Sequence, residues 1–434
     1  MIKFHIVTLG CSKNTADSEY VANFLQNAGL KWTDKPNEAD LLMLNTCGFI
    51  NDAKEQSLNT LFTLAEYKEK NKAQKLLVYG CLVKRYEEQL KADIPEIDYF
   101  FKFFDDKSLS LLLKELTVSK APKKNCADFS AITKRFFTPP HIGLLKIAEG
   151  CDNWCSYCAI PKIRGSFRSL PEEEILRTAE NLAKTGSKEL SVIAQDTTAY
   201  GKDTDTSLEE LLSKISQIDG IEWIRLHYLH PKRLTPDFID RVFSIKKVLP
   251  YFDIPLQHID DTVLNKMNRH TDSNQIKQLI SHIRTNYQNS VIRSTFIVGF
   301  PGETDKRFER LLTFLEEYPI DRLGAFVFSP EEGTRGAEMT PKVSKRKAAE
   351  RLDKLMTFQQ LILGETAEKW VGRELELMAD AVENGKILAR TVYDAYEVDN
   401  QTILEDTGNI KPGDIFKGVI TEAGLYDFKA RPLK

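Results

Sequence analysis

Compact apolar runs of strand length alternate with helical patterns along most of this chain, and that alternation restricts it to parallel sheets covered by helices. Near the start, Phe4 to Leu9, Leu41 to Leu44 and Leu76 to Tyr79 are such runs. Between the first two, Val21, Phe24, Leu25 and Ala28 recur at helical spacing, with Asn14 or Thr15 as the expected N-cap and Gly29 at the end. The alternation resumes with Gly143 to Ala148, Leu190 to Ala194, Trp223 to Leu229, Tyr251 to Pro255, Ile292 to Val298 and Gly324 to Ser329. Helical patterns such as Ser207 to Ile218 and Ser273 to Thr285 separate them. Six βα units in series imply a curved parallel sheet or partial barrel.

At 434 residues the chain exceeds one ordinary core, so two or three domains are expected. Ser119 to Asn125, polar and lysine-bearing, followed by Pro139-Pro140, reads as a linker. A charged helix runs from Ser344 to about Glu365. Beyond it short strands and turns take over, with a turn at Lys411-Pro412-Gly413-Asp414 and strands at Ile415 to Ile420 and Tyr426-Asp427-Phe428. The expected domains are 1–135, 136–365 and 366–434.

The net charge of −3 lacks the basic field of a non-specific nucleic-acid binder. No apolar stretch is long enough for a bilayer crossing, and the N-terminus reads as a strand, so a cytoplasmic protein is expected. Seven cysteines, an odd number, argue for reduced thiols or metal ligands over a disulfide framework.

Cys151, Cys155 and Cys158 lie within eight residues, on the turn after a predicted strand. Thiolates are the usual ligands of a [4Fe–4S] cubane, and three of them leave one of its four irons open to bind and activate a small molecule. A zinc site would want a fourth ligand, and the nearest histidine, His141, precedes the strand. Gln195-Asp196 and Gln257-His258 end predicted strands and point to the same mouth. Gly299-Phe300-Pro301-Gly302-Glu303 closes another strand, where glycine lets backbone approach a ligand; alone it reads more readily as a plain turn with a helix cap.

Cys11, Cys47 and Cys81 each follow a predicted strand, at separations of about one βα period. In a parallel sheet all three emerge at one edge, in the crevice where open α/β folds bind ligands. A second three-thiol cluster is therefore expected, although any one of them alone reads as a small buried hydrophobe. Cys126 is left unassigned.

The CxxxCxxC spacing with Tyr157 before the last cysteine resembles the radical S-adenosylmethionine (SAM) signature. That resemblance implies that the open iron chelates SAM, whose cleavage yields a 5′-deoxyadenosyl radical. It also implies that Tyr157 lies beside the adenine, and that Gln195, Asp196, Gln257, Gly299 and Glu303 belong to the SAM site. A three-thiol domain, a radical SAM domain and a terminal barrel, in this order, resemble the methylthiotransferase family over essentially the whole chain. The fold implied is a flavodoxin-like parallel α/β domain, a partial (βα)6 barrel and a small TRAM-like β-barrel. The cofactors implied are SAM and two [4Fe–4S] clusters, the second on Cys11, Cys47 and Cys81 carrying the sulfur to be inserted.

One branch of that family modifies an adenosine in tRNA; the other, the RimO type, modifies the β-carbon of an aspartate in ribosomal protein S12. Leu9-Gly10-Cys11-Ser12-Lys13-Asn14, Asn45-Thr46-Cys47-Gly48-Phe49-Ile50 and Gln195 to Gly201 resemble the second. Asn51 and Asp52 do not fit the basic residue that typically follows the second cysteine in the tRNA branch. From Thr366 to Lys434 thirteen acidic side chains face nine basic ones, a poor grip for RNA phosphates and a reasonable one for a basic ribosomal protein. A flavodoxin or ferredoxin is the electron donor the resemblance implies. A non-catalytic iron–sulfur carrier is the reading from another class.

Overall fold

The computed structural model describes residues 1–116, 132–405 and 408–433, so the expected linker Ser119 to Asn125 and Cys126 lie outside the described residues. The chain opens with β1 (Lys3–Thr8), α1 (Ser12–Asn27), β2 (Lys31–Trp32), β3 (Leu41–Thr46) and α2 (Asn51–Lys70). β4 (Lys75–Gly80), α3 (Cys81–Asp93), β5 (Tyr99–Phe101) and α4 (Asp106–Glu115) complete the unit. All five strands are parallel, in the order β2-β1-β3-β4-β5. β3 is buried throughout because helices cover both faces. Leu41 and Met43 meet α1 and α4, while Leu42 and Leu44 meet α2 and α3, the period of two that a central strand imposes. This flavodoxin-like order has its switch point between β1 and β3, at the carboxyl ends of the strands.

α1 starts earlier than expected, with Cys11 as its N-cap. Asn14 does not cap it, because its amide donates instead to Leu9 O and Thr46 O, tying the ends of β1 and β3 together. Glu19 on α1, 4% exposed, accepts the backbone N–H groups of Phe136, Phe137 and Thr138. That carboxylate fixes the entry into the second unit.

There the chain forms β6 (Ile142–Lys146), β7 (Ala148–Glu149), α5 (Ile160–Arg164), β8 (Arg168–Ser169), α6 (Glu172–Lys184) and β9 (Glu189–Ile193). It continues through α7 (Leu208–Ser216), β10 (Trp223–Leu226), α8 (Pro236–Phe243), β11 (Tyr251–Asp253), α9 (Asp261–Lys266) and α10 (Ser273–Asn286). β12 (Val291–Val298), α11 (Asp305–Glu317), β13 (Arg322–Val327), α12 (Arg335–Glu338) and α13 (Lys345–Ala367) finish it. Two parallel three-stranded sheets, β6-β9-β10 and β11-β12-β13, meet at the Ile224–Val248 bridge. Six strands thus form the partial barrel that the alternation implied. The expected strand Gly143 to Ala148 is broken into β6 and β7, because Ala148 and Glu149 leave β9 and pair with Ser169 and Arg168 of β8.

β14 (Glu374–Glu383), β15 (Lys386–Thr391), β16 (Thr402–Leu404), β17 (Ile415–Ala423) and β18 (Phe428–Pro432) close a small barrel in the order β14-β15-β16-β18-β17. Tyr426 and Asp427, read above as strand, lie in the β17–β18 turn, which the Gly424 N–H closes on Asp427 O. This barrel is bolted to the amino-terminal ends of the six parallel strands. Glu189, the first residue of β9, accepts from Arg225 Nε at 2.7 Å and from Arg390 Nη1 of β15 at 2.8 Å. Trp223, opening β10, donates to Glu376. Tyr251, opening β11, donates to Asp399, and Arg322, opening β13, pairs with Asp394. The opposite, carboxyl-terminal mouth is left for ligands. Among the described residues no helix is long and apolar enough to cross a membrane.

Candidate functional site

β1, β3 and β4 deliver Cys11, Cys47 and Cys81 to the switch-point edge of the first sheet. Cys11 caps α1 and Cys81 opens α3, so two helix amino termini, with their unfilled N–H groups and positive field, stand at the thiols. At Gly10, φ +97°, a Cβ would sit 3.0 Å from Cys47 Sγ. Cys11 is exposed, Cys47 half-buried and Cys81 buried. Burial pushes Cys81 up to about 11 and Cys47 upward, so a bound cation is what would make them thiolates. Arg164, at the end of α5 in the second unit, sets its positive charge near the Cys81 thiol and pulls against burial toward the thiolate. Its guanidinium also donates to Asp17, Glu149 and Asn14, at 2.9, 3.1 and 2.7 Å.

The second set follows β7 on a loop held from several sides. Cys151 N–H donates to Gly165 O, Ser156 N–H to Met267 O, and the Asn268 amide to Trp154 O. Asn153 donates to Asp196, which also takes Arg233. Burial pushes Cys151 up to about 11 and Cys158 well above its ordinary range. Arg269, buried, donates to Cys155 Sγ at 3.4 Å and to the Tyr157 hydroxyl at 3.3 Å. Each cysteine set therefore has one arginine whose charge bears on one of its sulfurs.

Among the described residues no group of three or more His, Cys, Asp or Glu side chains converges on a point that could hold a single metal ion. A cubane asks for something else, since each thiolate binds a different iron and the three sulfurs must stand apart. Polar atoms left without partners mark the rest of the mouth. Gln195 at the end of β9 gives its amide to Glu149, and its Oε1 is unpartnered. Gln257, after β11 and at φ +71°, likewise leaves Oε1 unpartnered. His230, after β10, accepts the Lys232 N–H on Nδ1, so its buried Nε2 carries an unused proton. Burial and the neighbouring arginines push that imidazole well below its ordinary range, so it is neutral. A ligand with amino, carboxylate and hydroxyl groups fits such a rim.

The remaining sequence candidates are placed differently. Tyr157 packs against the buried cluster of Val263, Met267 and Phe300. Asp196 is 1% exposed and committed to Asn153, Arg233 and Thr198. Glu303 accepts the Gly299 N–H at 2.8 Å and Arg351 at 2.9 Å, with His258 Nε2 3.8 Å away; burial pushes its carboxyl up to about 7 against the pull of Arg351. The vacant side of Gly299, at φ +76°, faces Ala348 of α13, where a Cβ would lie 2.5 Å from the alanine Cβ. On that side the glycine admits a helix. Gly299→Ala is expected to cost about 1–3 kcal/mol in chemical denaturation, with part recovered in the Gly299→Ala, Ala348→Gly double variant.

Arg164, Arg269 and His230 escape sequence reading, because each acts across the fold from outside any motif. Lys13 lies within a quoted motif, but nothing local indicates what its ammonium faces.

Three family models match the chain: an uncharacterized protein family, UPF0004, over residues 3–102, the Radical SAM superfamily over 145–315, and the TRAM domain over 371–433. A ribosomal protein uS12 methylthiotransferase RimO from Aquifex aeolicus is 41% identical over 435 residues, spanning 99% of this chain and 97% of its own length. The proteins of the same name from Thermoanaerobacter sp. and Clostridioides difficile are 40% and 39% identical, over 97% and 98% of this chain and 98% of their own lengths. Among solved structures, the radical S-adenosylmethionine methyltransferase TsrM from Kitasatospora setae, with cobalamin and a [4Fe-4S] cluster bound, superposes with a TM-score of 0.58 at 12% identity. It covers 89% of this chain and 77% of that one, a likeness of fold.

Proposed function

The chain belongs to the RimO family of radical SAM methylthiotransferases, and from that premise we propose that it inserts a methylthio group at the β-carbon of an aspartate in ribosomal protein S12. The observation that carries this reading is the pair of three-thiol sets, one at the switch point of the first sheet and one at the mouth of the partial barrel, with Arg164 of the second unit hydrogen-bonded to Asp17 and Asn14 of the first. The domains are 1–135, 136–365 and 366–434.

Cys151, Cys155 and Cys158 would hold one [4Fe–4S] cluster, and Cys11, Cys47 and Cys81 the other. When bound, the first cluster and SAM together supply a carbon-centred radical, and the second cluster carries the sulfur to be placed. The chain's own residues do the positioning. Gln195 and Gln257 offer acceptors to the SAM amino and hydroxyl groups, and the His230 Nε2 proton offers a donor to its carboxylate. Tyr157 and Gly299 form walls of that site. Asp196 holds the cysteine loop through Asn153, and Glu303 holds the glycine turn by its N–H. Arg164 and Arg269 bring positive charge near one sulfur of each set, which favours the reduced state of whatever metal group binds there.

S12 is basic and the terminal barrel acidic, which favours the protein substrate over tRNA. Electrons would come from a flavodoxin or ferredoxin, and the reaction would run in the cytoplasm. Reduced, cluster-reconstituted protein supplied with SAM, a sulfide source and S12 is expected to add one methylthio group to one aspartate, read by peptide mass spectrometry. No mass change on S12, with a change on tRNA adenosine instead, overturns the substrate.

A further inference from the structure

Lys13 is the one buried lysine among the described residues, at 6% exposure. It stands in the first turn of α1, two positions after Cys11, and reaches across to the second unit. There its Nζ donates to Ala194 O, at the end of β9, at 3.0 Å, and lies 4.0 Å from the centre of the Tyr228 ring. No carboxylate lies within ion-pair distance of it among the described residues. Several cations nearby do have one: Lys146 and Arg164 share Asp17 and Glu149, Lys54 and Arg85 share Glu331, and Arg233 has Asp196.

An ammonium has three donors, and one carbonyl fills one of them. Burying a cation without a counter-charge is costly, and a π face repays only part of that cost. Tyr228, which supplies that face, is held at φ +60°, a conformation bulky side chains rarely adopt, and its hydroxyl meets Ser12 Oγ at 3.4 Å. The fold thus spends backbone strain to keep an aromatic ring under an uncompensated charge. It does so two residues after Cys11 and at the carbonyl next to Gln195.

We propose that Lys13 is a specificity-determining residue whose ammonium takes the side-chain carboxylate of the substrate aspartate. This rests on the S12 reading and deepens it. In an aspartate the β-carbon is bonded directly to the carboxylate carbon, so an anchored carboxylate fixes the reacting carbon one bond away. The same charge rejects a neutral side chain, which leaves the buried cation unpaired.

The test titrates the full-length, cluster-loaded protein with S12 and with S12 carrying asparagine at the target position, reading Kd by calorimetry and product by mass spectrometry. Wild type is expected to bind the aspartate form about tenfold or more tightly, the worth of one charged hydrogen bond. Lys13→Gln is expected to bind the two forms equally, and Lys13→Arg to keep a preference for aspartate. Equal handling of the two forms by wild type removes the role from Lys13 whatever the variants do, and leaves S12 as the substrate. A Lys13→Gln variant that keeps the wild-type preference does the same. Failure of wild type to bind or modify either form overturns the substrate reading, and this proposal with it.

Discussion

Cys151, Cys155 and Cys158 changed together to alanine are expected to abolish formation of 5′-deoxyadenosine from SAM while halving, not eliminating, the iron and acid-labile sulfide of anaerobically reconstituted protein. The reciprocal variant, with Cys11, Cys47 and Cys81 changed to alanine, is expected to halve iron again but to retain SAM cleavage and lose methylthio transfer. This double dissociation follows from geometry. The two sets stand on different units, each with its own helix or loop support and its own arginine, so emptying one leaves the other's ligands in place. Loss of all iron in either variant would mean that the six thiols serve one shared site.

The second large effect lies far from the thiols. Glu189→Ala is expected to lower stability by about 3–5 kcal/mol, because it leaves Arg225 and Arg390 buried and facing each other without the carboxylate they share. Urea titration followed by tryptophan fluorescence reads it, since Trp223 and Trp370 pack in the core shared with the terminal barrel. The same carboxylate predicts an acid limb. Burial pushes Glu189 up, but the two guanidiniums outweigh burial and hold it at about 2, below the 4.5 of an ordinary glutamate. A carboxyl depressed in the folded state binds its proton more readily when unfolded. Its contribution is therefore complete above about pH 5 and disappears as pH falls through 4.5 toward 2, by about 3 kcal/mol in all. Glu189→Gln should remove that limb, and a wild-type stability that stays flat from pH 5 to 3 would refute the assignment.

Much of the fold is legible in the sequence because strand and helix periods are local properties. β3 and β4 are continuous apolar runs for the reason that helices cover both faces, and α7 and α13 begin just after the expected Ser207 and Ser344, which cap them. The start of α1 was misplaced because Asn14, a good cap by type, is drawn to two carbonyls at the ends of neighbouring strands. β2, β7 and β8 have two residues each, too short to show a period. For the site, the cysteines announce themselves by spacing, whereas Arg164 and Arg269 carry no pattern, since their partners are 83 and 114 residues away along the chain. Gly299 is instructive in another way: its position in the turn was right, but the neighbour that demands it is Ala348, which only the folded chain reveals.

The floor of the partial barrel bears on any attempt to graft a terminal domain from one relative onto another. A crossover drawn at the end of α13 would sever Glu189 from Arg390, Arg225 from the Val392 carbonyl, Trp223 from Glu376, Tyr251 from Asp399 and Arg322 from Asp394. A working hybrid has to carry those four strand-opening positions along with the donor module, so the seam that matters runs through space and crosses the sequence at five places.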